Sequence, residues 1–419
     1  MAKRAANEGS IRKKTVTKNG QQYTYWEARI TTGRDPGTGR QIQRSFTGKT
    51  QKEVREKMQT ARRLIEDNQY REPTRLTLSE WLDIWLDTYK TDIKPRTLDS
   101  YRTTINTHIK PALGALRLQE ITVDNIQTFC TNLSRSTRQV PKKDDSGKLI
   151  KKDGKTVYEN VPLSAKTVKN TYGVLRGALE QAKQSKHIAY NPAEAATPPK
   201  VERAEIKPLD SEAIGDFLNA IKGHPFENVY TVALFTGMRE GEVLGLTWDC
   251  IDFDAGTITV RQQLQKERGG NGTYHLVKTK NNKSRRITPA TFVMNTLRKQ
   301  RRQQIEKRFA AYDMWDNHMD LVFTNELGRN LSAQTVYLHF KKIAESIGRP
   351  DARFHDLRHS YAVAALRSGD DIKTVQGNLG HATAAFTLDV YSHVTAEMQR
   401  ESAERMERFI DSVSKQKHA

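Results

Sequence analysis

Apolar and polar residues alternate near the start of the chain. From Tyr23 to Thr32, Trp26, Ala28 and Ile30 fall on one side and Tyr25, Glu27 and Arg29 on the other. This is the period of two expected of a half-buried strand. Arg40–Phe46 repeats the alternation, and the intervening Asp35-Pro36-Gly37-Thr38-Gly39 is rich in residues that reverse a chain. The short basic stretch Ser10–Val16 supplies a third strand. The period then lengthens to that of a helix. Val54, Met58, Ala61 and Ile65 share one face, and Thr50 with Glu53 forms a capping box that satisfies N–H groups left free by the first turn. Residues 1–70 thus predict a three-stranded sheet with a helix on one face, its other face offering Arg12, Lys14, Tyr25, Glu27 and Arg29 to a ligand.

Glu72-Pro73-Thr74 reads as a linker, and the pattern beyond it is helical. Leu78, Trp81, Leu82, Trp85 and Leu86 form one apolar stripe. Lys94-Pro95-Arg96-Thr97 opens a second helix, with proline in the first turn where its missing N–H costs nothing. Ile105, Ile109, Leu113 and Leu116 follow, then helices over Val123–Leu133 and Ser164–Ser185. Between these two, Lys142–Asn160 is polar, holds two glycines and predicts an exposed hairpin insertion. Asn191-Pro192 and Thr197-Pro198-Pro199 close this segment. From about Val201, helices over Leu209–Ile221 and Asn228–Phe235 precede strands over Ile251–Arg261 and Tyr274–Pro289, and helices return up to Val413. The whole is a multidomain α+β protein with divisions at 1–70, 75–200 and 201–419, the second carrying its insertion near 140–162.

Charge narrows the choice of partner. The 419 residues hold 69 Lys/Arg against 49 Asp/Glu, a formal net charge of +20. So large an excess points to a polyanion, of which nucleic acid is the usual one. Residues 1–70 alone carry 16 Lys/Arg against 7 Asp/Glu. That concentration marks a separate DNA-binding module and makes Arg12, Lys14, Tyr25 and Arg29 its candidate contacts. The two cysteines, Cys130 and Cys250, are too few and too far apart for a disulfide framework or a cysteine zinc site. There is no apolar run of about 18 residues and no apolar signal core at the N-terminus. The expectation is a cytoplasmic, DNA-associated protein with no membrane partner.

Five short patterns in the third segment carry the chemistry. They are Thr236-Gly237-Met238-Arg239-Glu240-Gly241-Glu242, Lys278-Thr279-Lys280-Asn281-Asn282-Lys283-Ser284-Arg285-Arg286, His355-Asp356-Leu357-Arg358-His359, Leu379-Gly380-His381, and Tyr391 within Thr387-Leu388-Asp389-Val390-Tyr391-Ser392-His393. Singly each has an ordinary structural explanation. His355 and His359 have the i, i+4 spacing of zinc ligands, but Asp356 stands where a metalloprotease has Glu, and no third ligand is evident. No metal is expected.

Together and in this order, the five patterns resemble the tyrosine recombinase family, the phage and conjugative-transposon integrases, with the conjugative-transposon members most similar in detail. The resemblance covers the third segment. The helical middle segment is similar to that family's core-binding domain, and the first to its arm-binding domain with a three-stranded sheet. The resemblance implies that Arg239 and Arg358 are the catalytic arginines, Lys280 the hairpin lysine, His355 and His381 the histidines, and Tyr391 the nucleophile, with Glu242 supporting Arg239. It implies a bacterial, DNA-bound homotetramer acting at crossover and arm sites, with no cofactor, assisted by an excisionase or DNA-bending protein. It also implies a C-terminal helix, with Met398, Met406, Phe409, Ile410 and Val413 on one stripe, that docks on a neighbouring subunit.

The residue types suit the reaction. Attack on a phosphodiester builds negative charge on its non-bridging oxygens, which two forked guanidiniums can hold. A phenol with a pKa near 10 must lose its proton to attack, and the departing 5′-oxygen must gain one. His355 suits the first task and Lys280 the second, with Lys278 and Lys283 as neighbours that leave the register of the hairpin open. A type IB topoisomerase shares this chemistry, and a DNA-binding regulator that has lost catalysis is a further alternative. The basic N-terminal module favours integration over the first, and the complete residue set speaks against the second.

Overall fold

The computed structural model describes residues 10–18, 20–35, 37–66, 74–142, 144, 149–202, 207–267, 273–279, 283–380, 403–404 and 406–410. The chain divides into two compact units, Met1–Arg203 and Ala204–Ala419. The multidomain α+β architecture matches the expectation from the sequence.

In the first unit, β1 (Ser10–Lys18), β2 (Gln21–Arg34) and β3 (Gln41–Gly48) form an antiparallel sheet in the order β1-β2-β3. Helix α1 (Gln51–Glu66) packs against it and buries Val54 and Ala61, while Ala28 and Ile30 are the buried apolar side chains of β2. At the start of α1, Thr50 Oγ1 accepts from Glu53 N, whereas the Glu53 carboxylate reaches one residue further back, to Lys49 N.

The helical part of this unit comprises α2 (Leu78–Tyr89), α3 (Pro95–Thr104), α4 (Lys110–Leu113), α5 (Val123–Arg135) and α6 (Ala165–Gln184). Capping boxes at Thr77/Glu80 and Thr122/Asn125 start α2 and α5. A π-turn over Ile105–Ile109 joins α3 to α4: Lys110 N bonds five residues back to Ile105 O just ahead of Pro111, which has no N–H to donate. Trp81 and Trp85 lie at the centre of the core, and Trp81 Nε1 donates to Ala178 O on α6 at 2.9 Å. The insertion is a ribbon of β4 (Thr137–Pro141) paired with β7 (Tyr158–Pro162), with β5 (Lys151–Lys152) and β6 (Lys155–Thr156) paired between them.

The second unit is built around α8 (Glu227–Thr236), whose residues from Asn228 to Leu234 are all buried. A helix without a polar face needs neighbours on every side. They include α7 (Ser211–Ile221), α9 (Glu240–Leu244), α10 (Thr291–Ala311) and α12 (Phe354–Arg367), with Phe217, Tyr230, Phe340 and Phe354 in one core. α11 (Ala333–Ser346) joins this core, and α13 (Ile372–Leu379) packs on α12 through Leu366, Val375 and Leu379.

The strands divide more finely than periodicity predicts. β8 (Ile251–Asp252), β9 (Thr257–Val260) and β12 (Arg285–Ile287) form one sheet in the order β12-β9-β8. β10 (Gln262–Lys266) and β11 (Tyr274–Lys278) form a separate hairpin, and β10 was not expected. Its sequence, Gln-Gln-Leu-Gln-Lys, carries one apolar residue, too few to declare a period. Among the described residues no helix is long and apolar enough to cross a membrane. The expected tail stripe is described only in part. Met406, Phe409 and Ile410 lie in helical conformation and are exposed. Met398 and Val413 lie outside the described residues, as do Pro36 of the first turn and Glu72-Pro73 of the linker.

Candidate active site

The site begins where α8 ends. Gly237 has φ +62°, a left-handed conformation that favours glycine. A Cβ here would lie 2.5 Å from the Tyr361 ring and 2.7 Å from the Leu379 side chain, so the turn closes only without one. Two residues on, Arg239 is extended and caps α9. Glu242, three residues further, turns its carboxylate back over that start. It accepts Arg239 N at 3.0 Å and Arg239 Nη1 at 2.8 Å. The same carboxylate receives Arg285 from β12, with Nη2 on Oε2 at 2.6 Å and Nη1 on Oε1 at 3.2 Å. Glu242 is 1% exposed. Burial alone would raise its pKa. The hydrogen bonds and charge of Arg285, followed by those of Arg239, outweigh that effect and bring it down to about 2.

Helix α12 supplies the next group. Asp356 stabilises its first turn by accepting Arg353 N at 2.8 Å and Arg353 Nη2 at 2.7 Å. Arg358 is buried. Its Nη1 donates to Gly237 O at 2.6 Å and its Nη2 to Leu379 O at 2.7 Å. One guanidinium therefore joins the turn after α8 to the end of α13. Arg285 Nε donates to the adjacent Asn378 O at 2.7 Å. Two cations thus meet the carbonyl end of α13, where the helix dipole favours positive charge.

His355 reaches the surface one turn before Arg358. Its pKa is lowered, first by desolvation and then by the charges of Arg358 and Arg239. His359 packs edge-on to His355 at 5.0 Å between ring centroids, and its pKa is pushed down to about 4, chiefly by burial. Tyr361, two residues further along α12, is half-buried. Burial raises its pKa, and its hydroxyl accepts from Asn378 Nδ2 at 3.0 Å.

Arg239, Glu242, His355 and Arg358 are thus brought together from two segments over a hundred residues apart. Lys280, His381 and Tyr391 lie outside the described residues. The Thr279 hydroxyl donates to Lys283 O at 2.7 Å, and Lys278 and Lys283 are exposed. Arg285 and Gly237 stand within these motifs with no sequence signal of the parts they take here. Nothing in a run of five Lys and Arg says which one turns inward.

The N-terminal sheet sets its candidates on one face. Arg12 pairs with Glu27 and Lys14 with Tyr25, while Arg29 pairs with Ser10. Glu27 is buried there, beneath Arg12 at 2.6 Å, Arg29 at 3.4 Å and Lys14 at 3.7 Å, so it holds the cations of that face instead of facing a ligand.

Two family models match the chain: the phage integrase family over residues 207–398, and the phage integrase N-terminal SAM-like domain over residues 77–134. Between them they span more than half of it. The chain belongs to the phage integrase family of tyrosine recombinases. Members of this family are site-specific recombinases acting on DNA, and this activity is the chain's own. It is 27% identical to a "Tyrosine recombinase XerC-like" protein of Caldanaerobacter subterraneus, over 94% of this chain and 98% of that one. It is 25% identical to the ICEBs1 integrase of Bacillus subtilis, with the same coverage of each. Among solved structures, the Tn1549 transposon integrase in complex with transposon right end DNA superposes with a TM-score of 0.63 at 18% identity, covering 79% of this chain and 99% of the other. The recombinase thus shares its fold with an integrase of a transposon.

Proposed function

We propose that this recombinase integrates and excises a mobile element through a 3′-phosphotyrosine bond to Tyr391. The Tyr391 oxygen attacks phosphorus, the P–O5′ bond breaks, and the 5′-oxygen departs with a proton from Lys280. His355 takes part in removing the phenol proton, Arg239 and Arg358 hold the non-bridging oxygens, and His381 hydrogen-bonds the phosphate. The energy of the broken linkage stays in the phosphotyrosine bond, so rejoining needs no nucleotide. The carrying observation is that Arg239 and Arg358, each fixed by hydrogen bonds to Glu242 or to backbone carbonyls, lie beside His355. Such preorganised donors typically contribute about 10²–10³ each in rate. A recombinase is favoured over a topoisomerase or a silent regulator by the relatives, which are named as recombinases and integrases.

In this reading residues 1–70 bind arm sites, 75–200 the crossover site, and 201–419 carry catalysis. Four subunits assemble on DNA, strands exchange through a Holliday junction, and the C-terminal helix docks on a neighbour. One of the structures that shares the fold is a lambda integrase tetramer bound to a Holliday junction. An excisionase or DNA-bending protein would direct the reaction. The test is a nicked suicide substrate with Tyr391→Phe. Binding should persist and the covalent adduct should vanish, because only a hydroxyl is lost. A persisting adduct would move the nucleophile to another tyrosine.

A further inference from the structure

Of the four cations in the hairpin motif that the proposed reaction does not use, Arg285 is the one turned inward. Arg285 stands opposite Val260 in the β12–β9 pairing, and Arg286 beside it is exposed. The alternation of a strand therefore turns Arg285 inward with the buried Ile287. All three of its guanidinium nitrogens are engaged: Nη1 and Nη2 on Glu242, Nε on Asn378 O. Its side chain is 11% exposed, against 26% for Arg239. Gly380 closes over it, so that a Cβ at residue 380 would come within 3.1 Å of Arg285 Cδ. Arg285 is therefore held in place, while Arg239 meets the same carboxylate through Nη1 alone among its side-chain nitrogens.

We propose that Arg285 is a positioning residue that neutralises Glu242 and so leaves the charge of Arg239 to the scissile phosphate. This rests on the reading of Arg239 as a phosphate clamp. Glu242, Arg239 and Arg285 together carry one net positive charge. Without Arg285 the carboxylate would be balanced by Arg239 alone, the net charge would fall to zero, and Arg239 would be drawn towards Glu242. A phosphate gaining negative charge in a partly desolvated site would feel that loss strongly. The stronger contribution of Arg285 to holding Glu242 ionised points the same way.

The test uses the full chain on nicked DNA with either an ordinary scissile phosphate or a neutral methylphosphonate, which needs no charge neutralisation. Arg285→Gln should cleave the ordinary substrate about 10–10²-fold more slowly with little change in DNA binding. Its deficit relative to the unaltered protein should shrink to a few-fold on the methylphosphonate. Arg239→Ala serves as the control. If its deficit shrinks while that of Arg285→Gln does not, Arg285 is a structural brace and the proposal is overturned. If the Arg239→Ala deficit does not shrink, the clamp reading fails and the proposal falls with it.

A second comparison avoids leaving a buried carboxylate without Arg285, which matters if Arg285→Gln folds poorly. In a Glu242→Gln background there is no charge left to balance. Adding Arg285→Gln should then change cleavage by no more than about twofold, the coupling expected of two residues that act through one another. A further loss of tenfold or more in that background would show that the bond to Asn378 O, not the charge, is what matters.

Discussion

Two buried carboxylates, one in each compact unit, gather arginines in different ways. Glu242 in the catalytic unit meets Arg285 and Arg239, whose side chains are 11% and 26% exposed. Glu27 in the N-terminal sheet meets Arg12, Lys14 and Arg29, whose side chains are 39–52% exposed. The motif is the same, but its consequences are opposite. Around Glu242, Arg285 is locked by a further bond to Asn378 O, and Arg239 is held by one guanidinium bond and its own backbone N–H, so the cluster behaves as a rigid template. Around Glu27 they keep two-fifths to half of their contact with water, which screens the pairing and lets them exchange partners. A template of fixed donors suits a transition state. A loose ring of cations over a strand suits a phosphate backbone, where affinity comes from released counterions.

The largest expected difference is between removing the two carboxylates. Glu242→Ala should leave Arg285 buried and unbalanced, costing about 3–5 kcal/mol of stability. Cleavage of a suicide substrate should fall by about 10² or more, because Arg239 loses its anchor. Glu27→Gln should leave cleavage chemistry unchanged. Near-normal turnover of the Glu242 variant would end the template reading.

Acid should divide the molecule along the same line. The pKa of Glu242 is about 2 against an ordinary 4.5. Its contribution of about 3 kcal/mol is complete above pH 4.5 and lost as pH falls towards 2. His359 acts earlier. With a pKa of about 4 against 6.5, it resists protonation in the folded state. Stability should therefore fall by up to about 3 kcal/mol between pH 6.5 and 4. Urea unfolding at pH 7, 5 and 4 should show this fall, and His359→Gln should flatten it. A slope unchanged by that substitution would assign the acid sensitivity to other groups.

The smallest effect concerns the sheet. Arg12→Ala should weaken arm-site binding and reduce the slope of log affinity against log salt by about 1. Glu27→Gln, which frees the cations above it, should steepen the slope by a similar amount. Footprints and titrations at several salt concentrations measure both. If Arg12→Ala and Glu27→Gln move the slope in the same direction, the sheet face does not meet phosphates in the way proposed.

Within one element, the sequence by itself determined most of what is seen. The stripe Leu78, Trp81, Leu82, Trp85, Leu86 became α2, the alternation from Tyr23 became β2, and Arg239 with Glu242 met because residues three apart share a helix turn. Order and spacing of the motifs were enough to name the family, since those, too, are written along the chain. The choice among Lys278, Lys283, Arg285 and Arg286 was decided only by tertiary structure. They are interchangeable in charge, and the one that fills the Glu242 pocket is selected by the register of β12 against β9 and by the end of α13, far along the chain. The same holds for Arg358, whose partners Gly237 and Leu379 lie 121 and 21 residues away. It holds for Glu27 as well, whose alternation says which face it takes but not how deeply three neighbours cover it. Backbone geometry sets local spacing whatever the rest of the chain does. The partner of a buried charge is set by the high cost of leaving it unpaired, and only the closed fold brings the candidates within reach.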